Sequence, residues 1–161
     1  NQVQGQYTTL NQRILKGYPR VEKIFLEAFK KVPLEYKNDF RITTSWCTKM
    51  EKGLYSQYHS HKNTYWSGVF YPEESDGKIE FKNPCMNLTS FFIVPEEFNA
   101  YNSSSLNVTP EKNMIVFFPS YLEHRVCAHT SEEPRYSLAF NIIPIGDYGE
   151  GDSSIFGLNI N

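Results

Sequence analysis

Cysteine is scarce in this chain: Cys47, Cys85 and Cys127 are the only three among 161 residues, and no two form a CxxC pair. An odd set without that spacing argues against a disulfide framework and a thiolate zinc site, and fits a reducing, cytoplasmic compartment. Long apolar runs are missing as well. No stretch approaches the roughly 18 residues of a membrane helix, and no signal-peptide pattern opens the sequence. Nor does charge of one sign dominate. Sixteen Lys+Arg against eighteen Asp+Glu leave a net charge of -2 and a pI near 6.1. That balance lacks the basic face that phosphate backbones demand and argues against a nucleic-acid partner. Histidine is limited to four positions, His59, His61, His124 and His129, so any imidazole-based site has few sources.

Aromatic residues, by contrast, are plentiful. Twelve Phe, eleven Tyr and two Trp make 16% of the chain, a load that suits strands and well-filled sandwich or barrel interiors. The length is that of one compact domain, so residues 1–161 read as a single unit. One segment, 17–36, has helical periodicity: Val21, Ile24, Phe25, Ala28, Phe29 and Val32 recur as an apolar stripe. Pro19 sits where a first-turn proline is tolerated, and Pro33 falls near the end. From about residue 41 the texture changes to short strand-like runs near 41–47, 54–59, 64–71, 78–82, 89–95, 105–109, 114–119, 123–128 and 135–144. Turn-rich segments such as PEESDG, TPEKN and TSEEP divide them. The expectation is a mainly β closed or double-sheet architecture over about 41–147, with the helix packed outside. The Gly/Ser-rich stretch 148–161 reads as a tail or flexible edge.

The chemistry concentrates at a few points. His59 and His61 form a His-x-His pair just before a strand. On extended backbone, side chains two apart share a face, so both imidazoles could reach one metal. His124 follows far along the chain, directly after a buried-looking strand. Three unrelated surface histidines would give the same pattern. Arg135 opens the run RYSLAFNII, with Ser137 on its face of the strand. An inward arginine is costly without an anion, and its planar fork matches a carboxylate. Pairing with Glu132 or Glu133 on an exposed face is the competing reading. His129 has no partner at ligand spacing and reads as a loop histidine.

Taken in order, HSHKNTYWSGVFY, DGKIEFKNP, MIVFFPSYLEHRV and PRYSLAFNIIP resemble the Fe(II)/2-oxoglutarate-dependent oxygenases, and within them a branch with bacterial and phage members. The likeness covers roughly residues 46–148. It implies a double-stranded β-helix, the jelly-roll or cupin-like barrel, with an N-terminal amphipathic helix outside. It further implies Fe(II) held by His59, His61 and His124, and 2-oxoglutarate as cosubstrate bound by Arg135, Ser137 and Tyr71. The implied reaction is a hydroxylation coupled to release of succinate and carbon dioxide, on a small-molecule or peptide substrate that the motifs do not name. Trp46, Tyr55, Tyr65, Trp66 and Phe118 are candidates for the pocket walls. The chain departs from the superfamily's usual two histidines and a carboxylate, because His61 stands where the acid is expected. Either His61 ligates directly, or it leaves its place to a water or halide, or an acid such as Glu80 takes the position. Two alternatives remain beside this reading: a three-histidine cupin-type dioxygenase that needs no 2-oxoglutarate, and a non-catalytic jelly-roll binding module.

Overall fold

A computed structural model describes residues 6–86 and 93–158. In chain order the elements are β1 (Gln6–Thr8), α1 (Pro19–Phe29), β2 (Asp39–Met50), β3 (Trp66–Tyr71), β4 (Ile79–Lys82), β5 (Ser105–Val108), β6 (Met114–Pro119), β7 (His124–Val126), β8 (Arg135–Tyr148) and β9 (Ile155–Leu158). The major sheet runs β1-β2-β8-β3-β6, with β9 paired to the far end of β8. A smaller sheet runs β5-β4-β7. Every pairing between these strands is antiparallel. This is the double-stranded β-helix, with α1 laid on the outer face of the major sheet and the small sheet across its inner face.

Two apolar clusters follow from this layering. On the helix side, Leu15, Phe25, Phe29, Ile42, Phe140 and Ile142 are buried together. Phe25 stacks on Phe140 with ring centroids 4.9 Å apart, and Phe29 meets Phe40 edge-on at 4.9 Å. Burying each of these rings contributes roughly 1.5–3 kcal/mol. Gly68 lies opposite Phe140 in the β3–β8 ladder, and a Cβ there would come within 2.3 Å of the Phe140 ring. Only glycine lets the ring cross that strand. Between the sheets, Val69, Tyr71, Ile79, Phe81, Phe118 and Ala139 form the second cluster.

A register shift between Ile42 and Thr44 decides which side chains of β2 face inward. Ile42 belongs to the helix-side cluster, yet Thr44, Trp46 and Thr48, of the same parity, line the inner cavity. One extra residue flips the alternation, as a β-bulge does.

The structure departs from the sequence reading at several points. The helix ends at Phe29, not at 36, and the chain continues in turns whose bonds reach back three residues, Lys31 N to Ala28 O and Val32 N to Phe29 O. Pro33 accounts for this: it has no N–H to donate and disfavours helical backbone at the residue before it. The buried helix face is narrower than the stripe, since Phe25 and Phe29 are buried whereas Ile24 is 61% exposed. Residues 54–59 form no named strand. Ser56 N donates to Val126 O, and His59 exchanges bonds with His124, so three residues on one side span two on the other and the ladder breaks into a single bridge. The strand expected over 89–95 lies largely outside the described residues, and Ile93–Pro95 carry none. In the stretch read as a tail, Ile155–Leu158 pairs with Gly146–Tyr148, aided by Gly157 N donating to Asp147 Oδ1 at 2.7 Å. The short polar and glycine-rich spacing there carries a hairpin.

Candidate metal centre

The His59–His124 bridge is the scaffold of the site. His59 N donates to His124 O at 3.0 Å and His124 N to His59 O at 2.9 Å, while His61 N donates to Ser120 O at 2.9 Å. Extended backbone held this way turns the side chains of residues 59, 61 and 124 to one side. The rings gather closely: centroids lie 4.4 Å apart for His59–His124, 5.1 Å for His61–His124 and 5.5 Å for His59–His61. One ligand atom from each falls within 4.8 Å of the other two. The reading of three unrelated surface histidines is thereby overturned, since His124 is buried and the other two are half-buried.

The other ring nitrogens are engaged. His59 Nδ1 lies 2.8 Å from Gln57 O, and His124 Nδ1 lies 2.9 Å from Leu122 O. A carbonyl only accepts, so each Nδ1 carries the proton and each Nε2 keeps a free lone pair. His61 Nδ1 lies instead 2.8 Å from Asn141 Oδ1 and 2.9 Å from Ser67 Oγ. Burial lowers the pKa of His61, and it lowers that of His124 to about 4. At neutral pH both rings are therefore uncharged, which is the form that ligates a metal. The donor set suits a divalent first-row cation: three imidazoles leave the remaining coordination positions free.

Glu80 takes no part. Its neighbours Ile79 and Phe81 point into the core, so Glu80 faces away on β4 and is held by Arg125 and by Ser105 Oγ at 2.9 Å. The option of an acid replacing His61 from this position is closed.

The same cavity is lined by Arg135, 4% exposed. Its Nε donates to Gly77 O at 3.2 Å, and its guanidinium carbon sits 4.9 Å from the Tyr71 ring centroid. Gly77 permits this approach, because a Cβ there would meet His129 Cβ at 2.9 Å and Arg135 Cδ at 3.1 Å. Among the described residues no carboxylate pairs with Arg135. Glu132, one of the two partners in the competing reading, bridges Lys52 instead. Beside it the Tyr71 hydroxyl is fully buried, facing the Arg135 guanidinium without a hydrogen bond of regular geometry. A guanidinium without an anion and a buried hydroxyl without a partner fit a ligand carboxylate. Ser137 shares the face of Arg135 on β8 and also lines the cavity. The cavity measures about 1180 Å³, and among the described residues that line it there is no Asp or Glu.

The expected walls divide. Trp46 lines the cavity and lies 5.7 Å from the His61 ring, and Phe118 packs on His124 at 4.6 Å. Trp66 turns to the helix side against Phe29, Tyr65 meets Tyr36, and Tyr55 is exposed. On β3, Trp66 has the opposite parity to the inward-facing Ser67 and Val69, which puts it on the outer face. His129, read as a loop histidine, does lie between strands but is 1% exposed, with Nε2 donating to Met50 O at 3.0 Å. It stands apart from the metal site. Residues the motifs did not single out are Asn141, Ser67, Ser120 and Thr44, which surround His61. The alternation of β8 was a signal for Asn141 alone, which falls on the same face as Arg135 and Ser137.

A protein family described as "Putative 2OG-Fe(II) oxygenase" matches residues 44–141. No curated protein matches the chain. Among solved structures, HygX from Streptomyces hygroscopicus with nickel and 2-oxoglutarate bound superposes with a TM-score of 0.60 at 12% identity, over 88% of this chain and 70% of that one. A 2OG-Fe(II) oxygenase family oxidoreductase from Burkholderia pseudomallei gives 0.55 at 13% identity, over 81% of this chain. The non-heme alpha ketoglutarate dependent epimerase SnoN from nogalamycin biosynthesis gives 0.51 at 13%, over 68% of this chain and 51% of that one. At such identities the likeness is one of fold. The chain spans 53% of the Burkholderia protein's length.

Proposed function

The chain belongs to the 2OG-Fe(II) oxygenase family, and from that premise we propose that it is a 2-oxoglutarate- and Fe(II)-dependent dioxygenase acting as a hydroxylase. His59, His61 and His124 would hold the iron, and Arg135, Tyr71 and Ser137 would hold the far carboxylate of 2-oxoglutarate. When bound, iron and 2-oxoglutarate supply the oxidation: substrate C–H, 2-oxoglutarate and O2 give substrate C–OH, succinate and CO2.

The chain's own part is binding and orientation. Arg135 and Tyr71 offer charge-assisted and hydroxyl donors to the cavity, and the imidazoles that line it offer lone pairs. A dicarboxylate spanning the two would be fixed at both ends, which is the positional advantage an enzyme exploits. Trp46 and Phe118 keep water from the ring side of the site. With three neutral ligands in place of two and a carboxylate, the cation would keep one more unit of positive charge, which favours anionic ligands beside it.

The observation that carries this reading is the buried Arg135 without a carboxylate partner, beside the unpaired Tyr71 hydroxyl, in the cavity that the three imidazoles line. A three-histidine dioxygenase without 2-oxoglutarate would leave that pair idle. The test is succinate release and oxygen uptake with Fe(II), with and without 2-oxoglutarate. Release that depends on both is expected; oxygen uptake indifferent to the keto acid would overturn the reading.

The substrate is taken to be a small molecule or a peptide side chain, not nucleic acid. One HygX structure holds hygromycin B. The absence of acids among the described lining residues makes the present cavity better suited to neutral or anionic groups than to cationic ones. Among the described residues no helix is long and apolar enough to cross a membrane, and the three free cysteines support a reducing, cytoplasmic setting.

A further inference from the structure

Two of the three histidines have their tautomer dictated by backbone. His59 and His124 each present Nδ1 to the carbonyl two residues earlier, which can only accept. His61 has no such carbonyl. Its Nδ1 faces the side chain of Asn141 at 2.8 Å, and Asn141 Nδ2 lies 2.9 Å from Thr44 Oγ1. Ser67 Oγ lies 3.0 Å from Asn141 Oδ1 and 2.8 Å from Ser120 Oγ, and both serines are fully buried.

A carboxamide can present either end, and a threonine hydroxyl can both donate and accept. With Oδ1 toward His61, the ring donates from Nδ1 and Nε2 is left as a lone pair. With Nδ2 toward His61, the ring carries its proton on Nε2, where it could not bind a cation. We propose that Asn141 is the positioning residue of the third ligand: held by Thr44 and Ser67 with Oδ1 toward the ring, it fixes His61 as the Nδ1–H tautomer and aims Nε2 at the site of His59 and His124. The inference rests on the reading of those three residues as metal ligands. A neutral amide does this without adding negative charge behind the ring, unlike the carboxylate partners common around metal-bound imidazoles.

The test needs no turnover. Long-range proton–nitrogen NMR of the metal-free, histidine-labelled chain near about pH 8, where imidazoles are neutral, reads the tautomer of each ring. His61 as Nδ1–H is expected in the wild type, and His61 as Nε2–H overturns the inference. Asn141→Leu removes the amide acceptor and leaves Ser67 Oγ, 2.9 Å from Nδ1 and able to donate or accept, as the remaining polar group there. The substitution should move His61 toward Nε2–H and weaken Zn(II), used as the probe, roughly 10–100-fold. Asn141→Asp, which can only accept, should keep the Nδ1–H tautomer and bind Zn(II) at least as tightly as the wild type. A loss as large as that of Asn141→Leu would count against the proposal, and this variant decides the matter if Asn141→Leu fails to fold. His59→Ala separates the two levels. If it binds Zn(II) as the wild type does, the three-histidine reading itself fails. If it loses Zn(II) while Asn141→Leu keeps both tautomer and affinity, only the role of Asn141 falls.

Discussion

The two faces of β8 look out on different surroundings. On one, Leu138, Phe140 and Ile142 meet α1 and its aromatic neighbours. On the other, Arg135, Ser137, Ala139 and Asn141 look into a cavity of about 1180 Å³. One strand thus serves the stability of the fold and the chemistry of the site through alternate residues. The difference is energetic in kind. Apolar rings gain by leaving water, whereas a buried guanidinium and an unpaired hydroxyl lose by it until a ligand arrives. The helix face should therefore be sensitive in folding, and the cavity face in binding.

The largest expected effect lies on the helix face. Phe140→Ala removes a fully buried ring stacked on Phe25 and should cost about 3–5 kcal/mol in urea unfolding. Zn(II) affinity of the folded fraction should be unchanged, and a loss of binding without loss of stability would break the comparison. On the cavity face, Arg135→Ala should raise the 2-oxoglutarate requirement by an equivalent of roughly 2–5 kcal/mol, as for truncation of a buried charge pair. Its urea midpoint should not fall, because the arginine has no protein anion to lose.

A smaller effect comes from pH. Burial holds His124 at about 4 in the folded chain, while the unfolded chain has the ordinary value near 6.5. Between those values the unfolded chain binds more protons, so stability falls as pH falls. It is complete above about 6.5 and is lost progressively down to about 4. Metal-free protein should be less stable at pH 5 than at pH 7 by roughly 2 kcal/mol, with the lowered pKa of His61 acting in the same direction. Denaturant midpoints equal at the two pH values would contradict this. Least affected should be Lys52→Ala, which removes an exposed pair with Glu132 outside both faces. Its expected cost is about 0.2–1 kcal/mol, and a larger loss would mean that Glu132 also restrains the segment leading to Arg135.

Much of this was legible from residue order. Alternation in RYSLAFNII put Arg135 and Ser137 on one face, and the His-x-His pair faced one way as extended backbone requires, even though residues 54–59 form a bridge and no strand. The helix was legible in place but not in length, because the effect of Pro33 reaches back over the preceding turn. The pocket walls were half legible. Trp66 and Trp46 read alike as aromatic residues in strands, and only sheet parity, reset on β2 by the bulge near Thr43, separates the helix side from the cavity side.

Sequence alone settled composition, periodicity and the identity of the residues able to bind a cation or a carboxylate, because these are properties of side chains and of local repeat. Tertiary structure alone decided that three imidazoles meet, that Glu80 turns away to Arg125, and that Asn141 stands behind His61. Those relations join residues far apart in the chain, and no local rule reports which of many possible partners a folded backbone will bring within hydrogen-bonding distance.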